Sequence, residues 1–160
     1  MEKALVIYAT AEGRKNLENR LNDLISRRAE VAEQIKQARE FGDLKENAEY
    51  AAAREAQNNL ETEIDEIEAM IPAIKLFSYS KASTDAVNIG TRVTLENMTN
   101  KGKVEYTITG VLESDIEKGY ISNQSPIGSA LLGKAVGETA EVKIPAGKIK
   151  YKIIKITTGA

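Results

Sequence analysis

Along the first half of the chain, apolar residues recur at helical spacing. Leu17, Leu21, Leu24, Arg28, Val31, Ile35 and Ala38 step by four and three in alternation, and Tyr50, Ala53, Gln57, Leu60, Ile64, Ile67 and Ile71 step by three and four. A repeat averaging about 3.5 residues is a coiled-coil seam. Paired in reverse order, 17 with 71, 21 with 67 and so on to 38 with 50, the numbers of every pair add to 88. The two seams are mirror images about residue 44, as an antiparallel hairpin turning at Gly42–Lys45 requires. Arg28 and Gln57 are the polar members of the seam. Residues 11–71 contain no Pro and only two Gly, at 13 and 42, and are rich in the good helix formers Ala, Glu, Leu, Arg and Gln. Thr10 is placed to cap the first helix and Pro72 to stop the second. With a rise of about 1.5 Å per residue, arms of about 30 residues reach about 45 Å.

The period changes beyond Pro72. Residues 87–157 are rich in Val, Ile, Thr and Tyr, with regular Gly and Pro, which reads as strands. Arg92–Glu96 and Val104–Thr109 alternate about a turn at Asn100-Lys101-Gly102, and Glu141–Ile144 and Lys148–Ile156 flank a second turn at Pro145-Ala146-Gly147. Ser125–Gly133 reads as a loop with a short helix. The expected fold class is α+β. An N-terminal antiparallel coiled-coil hairpin occupies residues 1–77 with its tip at 42–46, a linker follows at 78–86, and a sheet domain with a short helix fills 87–160.

Composition narrows the chemistry. The chain has no Cys and no His, which removes disulfides, thiolate zinc sites, catalytic triads and cysteine nucleophiles together. Only oxygen ligands remain for a metal, which favours hard cations such as Mg²⁺. A net charge of −2 argues against non-specific duplex binding over the whole surface. The apolar patch Ala4-Leu5-Val6-Ile7 is too short for a membrane span and lacks a signal-peptide cleavage pattern, so no membrane association and a cytoplasmic location are expected.

Asp43 and Glu46 lie three apart at the turn of the long projection, so both can face one point. By spacing alone an ordinary role accounts for them better, Asp43 in a solvated turn and Glu46 in the first turn of the second helix. Two carboxylates cannot supply the six oxygens that Mg²⁺ prefers, but they can complete a site whose other ligands come from a partner.

The run Ala38-Arg39-Glu40-Phe41-Gly42-Asp43-Leu44-Lys45-Glu46-Asn47-Ala48-Glu49-Tyr50 resembles a signature of the Gre family of bacterial transcript cleavage factors, of the GreA type. The later run Ile121-Ser122-Asn123-Gln124-Ser125-Pro126-Ile127-Gly128-Ser129-Ala130-Leu131-Leu132-Gly133-Lys134 is similar to that family's second signature, and the likeness spans nearly the whole chain. The resemblance implies an FKBP-like C-terminal domain that docks at the rim of the secondary channel of bacterial RNA polymerase, with the coiled coil entering the channel. It implies that Asp43 and Glu46 help to hold a second Mg²⁺ jointly with the polymerase, with none bound stably by the factor alone. The polymerase's own cleavage of backtracked nascent RNA is thereby stimulated, so the factor is not an enzyme by itself. It further implies short backtracked RNAs, docking through Ser125, Pro126 and Ile127, and RNA or polymerase contact by a basic patch. In this chain Arg14, Arg28, Lys36 and Arg39 fall within about one 80° arc of a helix. Phe41, Leu44, Asn47 and Tyr50 are expected to pack the tip, Asn47 by bonding the turn backbone. In the family a Pro commonly follows the paired basic residues of the first helix. Here Ala29 follows Arg27-Arg28, which implies a straighter arm.

Other readings predict other behaviour. A channel antagonist of the same shape would carry an altered tip, whereas Asp43-Leu44-Lys45-Glu46-Asn47 is intact. A prolyl isomerase needs an aromatic-lined pocket, and the second half offers only Tyr106, Tyr120 and Tyr151. A plain structural coiled coil would self-associate, while internally matched seams predict a monomer. The basic residues of the first helix have an ordinary role open to them as well, pairing with the second helix, where residues 45–71 carry eight Asp/Glu against two Lys/Arg.

Overall fold

A computed structural model describes residues 6–40, 42 and 47–160. In chain order the elements are β1 (Ile7–Ala9), α1 (Ala11–Ser26), α2 (Arg28–Arg39), α3 (Ala48–Met70), β2 (Ile74–Leu76), β3 (Thr91–Asn97), β4 (Lys103–Thr109), β5 (Tyr120–Ser122), α4 (Pro126–Leu131), β6 (Thr139–Ile144) and β7 (Gly147–Thr158). The fold is α+β, in two compact units. Arg14–Ala73 forms one, and Ile74–Ala160 with the described residues up to Gly13 forms the other.

In the helical unit the residues buried are those the spacing selects. Leu24, Ile35, Ala38, Ala53, Leu60, Ile64 and Ile67 are buried, and Leu17, Leu21, Val31 and Ile71 pack half-buried against this stripe. Burying one such Leu or Ile contributes about 1.5–3 kcal/mol relative to leaving it exposed. Two ion pairs join the helices, Arg20 to Glu63 at 2.8 Å and Arg28 to Glu61 at 2.8 Å. The later residue of the first arm meets the earlier residue of α3, so the arms run antiparallel.

The first arm is interrupted at Arg27, which has φ −77° and ψ −12°. Its N–H bonds to the Leu24 carbonyl at 3.1 Å, one residue short of the α-helical partner. No Pro or Gly causes this. Two side chains instead engage the preceding turn: Ser26 donates to the Asp23 carbonyl at 2.6 Å, and Arg27 pairs with the Asp23 carboxylate at 2.7 Å. The Ser26 bond to a backbone carbonyl competes with helical ones, whereas the Arg27–Asp23 pair, four residues apart, is compatible with a helix. With Ala29 in place of Pro, the first arm is nonetheless divided into two helices at Arg27. Arg28, as the first residue of α2, leaves the seam and lies exposed, while Gln57 stays half-buried.

The second unit is built on a five-stranded sheet of order β5-β4-β3-β7-β6. β3 pairs antiparallel with β4 and β7, β6 with β7 antiparallel, and β4 with β5 parallel. Period-two alternation sends Val93, Leu95, Ile108, Val142, Tyr151 and Ile153 to one face, where they pack with Ile121 and with Leu131 of α4. Lys101 takes the left-handed conformation, φ 62°, at the first turn, where Asn100 accepts from the Gly102 N–H at 2.7 Å.

Two boundaries differ from the sequence reading. β1 does not belong with the helices. It pairs in parallel with β2, Ile7 opposite Ile74 and Ala9 opposite Leu76, so the segment before α1 joins the sheet unit. The stretch 78–86 is not a free linker either. The Tyr79 ring packs edge-on against Phe77 and Tyr120, with centroids 5.1 and 6.0 Å away, and its hydroxyl lies 3.0 Å from the Thr109 hydroxyl. Burial raises the Tyr79 pKa above that of an ordinary tyrosine. One aromatic anchors a segment whose Ser, Lys and Thr content reads as solvated.

Candidate functional site

Ser125, Pro126 and Ile127 open α4, and the local bonds explain why they hold one conformation. The Ser125 hydroxyl accepts from the Gly128 N–H at 3.0 Å and donates to the Ser122 carbonyl at 2.6 Å. Ser125 thus caps the helix, and Pro126 follows at the first helical position, where its missing N–H costs nothing. A Cβ at Gly128 would run into the Ser122 carbonyl, so the turn closes this tightly only around glycine. Beside this turn lies an apolar concavity of about 290 Å³, lined by the three residues together with Tyr106, Ile116, Ile121 and Ile144. Pro126 is exposed and Ile127 half-buried against the core. Ile116, on the lining of this concavity, is 79% exposed. Sequence reading found the loop and missed its surroundings. The signal for Ile116 was a single isoleucine set in the polar run Ser114-Asp115-Ile116-Glu117-Lys118.

In the helical unit, Asn47 joins the ends of α2 and α3. Its side-chain oxygen accepts from the Glu49 and Tyr50 N–H groups, each at 3.1 Å, capping α3. Its amide nitrogen donates to the Ala38 carbonyl at 2.6 Å, near the C-terminus of α2. The Arg39 guanidinium sits 5.8 Å from the centre of the Tyr50 ring, within cation–π range. Phe41, Asp43, Leu44 and Glu46 lie outside the described residues. Among the described residues no group of three or more carboxylates is placed to hold a metal ion.

The four basic residues of the first arm have different neighbours. Arg14 pairs with Glu18 at 3.0 Å. Arg28 forks onto Glu61, its Nε to one oxygen at 2.8 Å and its Nη2 to the other at 2.9 Å. This hydrogen bonding raises the Arg28 pKa and holds Glu61 below the ordinary carboxylate range. Lys36 and Arg39 lie in the last turn of α2. Arg28 thus pairs with the second helix, whereas Arg14 pairs within its own.

Residues 7–75 match the family model described as "Transcription elongation factor, N-terminal", and residues 82–158 match "Transcription elongation factor, GreA/GreB, C-term". The chain belongs to the GreA/GreB family. Relatives in the family keep the full length. The chain is 48% identical to "Transcription elongation factor GreA" of Caldanaerobacter subterraneus subsp. tengcongensis, over 98% of this chain and 99% of that one. It is 45% identical to the protein of that name from Amoebophilus asiaticus, again over 98% and 99%. Among solved structures, GreA factor homolog 1 of Thermus thermophilus is similar over 95% of this chain and 99% of that one, at 23% identity and a TM-score of 0.43.

Proposed function

We propose that this GreA/GreB-family chain is a transcription elongation factor that stimulates bacterial RNA polymerase to cleave backtracked nascent RNA. The observation that carries the reading is the match of both family models, in order and at nearly full length, to one chain. In this reading the helices form a coiled-coil hairpin that enters the polymerase secondary channel, and the sheet unit is an FKBP-like docking domain. The factor acts as a monomer in the cytoplasm. No helix among the described residues is long and apolar enough to cross a membrane.

The chain's own residues divide the work. The concavity at Ser125-Pro126-Ile127 offers a rigid apolar rim for an apolar anchor of the polymerase, and exposed Ile116 extends it. Asn47 fixes the helix ends on either side of the tip. Asp43 and Glu46 supply two carboxylates, and the polymerase supplies the remaining oxygen ligands. Asp43 and Glu46 would hold a Mg²⁺ jointly with the polymerase, and the ion would supply the polarisation that activates water and stabilises leaving charge in phosphodiester hydrolysis. Lys36 and Arg39, in the last turn of α2, stand nearest the tip in sequence and are candidates for RNA contact.

The test is the rate of RNA shortening in a backtracked polymerase complex, with and without the factor. Asp43→Asn combined with Glu46→Gln keeps side-chain size and removes the charge that attracts a cation. The double variant is expected to bind polymerase as before and to lose stimulation, partly regained at higher Mg²⁺ by mass action. Cleavage at the unaltered rate would overturn the metal role of the tip. Binding without any stimulation by the unaltered chain would favour the channel antagonist.

A further inference from the structure

We infer that Glu113 is a positioning residue for RNA cleavage, holding the root of the helical arm by completing the cap of α1 from a distant turn. The inference rests on the cleavage reading above. Thr10 caps α1 in the ordinary way, its hydroxyl accepting from the Gly13 N–H at 3.1 Å. That leaves Thr10's own N–H and hydroxyl hydrogen without partners in the helix. In a capping box, a Glu three residues into the helix reaches back to take the N–H. Here the corresponding residue is Gly13, which has no side chain, and Glu113 fills the role across 103 positions of sequence. Its Oε1 accepts from the Thr10 N–H at 2.9 Å and from the Thr10 hydroxyl. Its Oε2 accepts from the Thr109 hydroxyl at 3.3 Å, and that hydroxyl is in turn bonded to Tyr79.

The space around the carboxylate is cut to fit. A Cβ on Gly13 would strike Glu113 Oε1, so glycine at that helical position is what admits the carboxylate. Gly is otherwise costly in a helix. Nearby, a Cβ on Gly110 would collide with the Tyr8 carbonyl, so the turn carrying Glu113 lies directly against β1. All these residues belong to one compact unit, yet α1 runs on from it to Ser26. Misplacing a catalytic group by about 1 Å can cost about a hundred-fold in rate, so a loosened first turn of the helix that leads toward the tip is expected to register in cleavage. The polymerase-docking concavity uses none of these residues.

Three variants separate positioning from general stability. Glu113→Ala removes the acceptors, Glu113→Gln keeps one, and Gly13→Ala leaves every partner in place while driving the carboxylate out. Gly13→Ala also favours helix formation, so a loss of function there cannot come from a weaker helix. Each is assayed for polymerase affinity, for cleavage rate at saturating factor, and for amide exchange of residues 10–13 by mass spectrometry. Glu113→Ala and Gly13→Ala are expected to bind within about two-fold of the unaltered chain, to lose about ten-fold or more in saturated cleavage rate, and to exchange faster at residues 10–13. Glu113→Gln is expected to recover most of both. Unchanged exchange in Glu113→Ala would overturn the anchor, and faster exchange with full cleavage would overturn its role in positioning. An unaltered chain that fails to stimulate cleavage would instead overturn the functional reading, while the exchange data still judge the anchor.

Discussion

Replacing Asn47 with Ala removes three hydrogen bonds at one point and tests whether the helix ends are held as described. Two of the bonds cap α3, through the Glu49 and Tyr50 N–H groups. Losing an Asn cap to Ala costs about 1 kcal/mol. The third bond satisfies the Ala38 carbonyl, and Ala38 is buried. Losing it costs about 1 kcal/mol more. The total of about 2 kcal/mol lowers the melting temperature by about 8–16 °C if the helical unit unfolds by itself, or about 4–8 °C if the chain unfolds as one. Circular dichroism at 222 nm reads the helical signal directly, and urea titration gives the free energy independently. Asn47→Asp divides the effect. It keeps the acceptors and adds negative charge at a helix N-terminus, where the dipole favours it, but it cannot donate to Ala38. Its loss should be about half that of Asn47→Ala. An Asn47→Ala protein within about 0.5 kcal/mol of the unaltered chain would refute the clamp. An Asn47→Asp protein as unstable as Asn47→Ala would place the whole effect in the bridge to Ala38.

Ile116→Asp should weaken polymerase binding with little change in melting temperature, because Ile116 is 79% exposed, whereas Ile127→Asp should also destabilise the fold, because Ile127 packs on the core; affinity and thermal melts of the two variants check this, and full affinity in Ile116→Asp would remove that residue from the interface. The Arg28–Glu61 pair sets an acid limit. Arg28 holds the Glu61 pKa below its unfolded value of about 4.5, so the pair's contribution is complete above that value and is lost as pH falls through the lower, folded one. The melting-temperature gap between the unaltered chain and Glu61→Gln should therefore close in that window, and a gap constant from pH 7 to pH 3 would contradict it.

Periodic features were legible in the sequence. The 3.5-residue seam named the buried stripe from Leu24 to Ile67, and alternation with Gly- and Pro-marked turns located β3, β4, β6 and β7. Features that depend on single residues or distant partners were not. β1 and β2 are three residues each and pair across the whole helical segment, so neither shows a local period. The break at Arg27 coincides with the Ser26 bond to the Asp23 carbonyl and involves no helix breaker. Tyr79 and Ile116 are lone apolar residues in polar runs, one folded inward and one left outside. At the candidate site, Ser125-Pro126-Ile127 was readable as a motif. The concavity around it needs Tyr106, Ile121 and Ile144, which only the folded sheet brings together.

The parallel pairing of β1 with β2 makes the helical segment an insertion with a single doorway. Ala9 lies opposite Leu76, so the chain leaves the sheet unit and re-enters it on adjacent strands. Parallel neighbours always need a long crossover, and here that crossover has become a module. Heptads added to or removed from both arms in matched pairs would leave the doorway unchanged. The length of the helical segment is thus free to evolve, or to be engineered, without altering the strand pairing of the sheet unit.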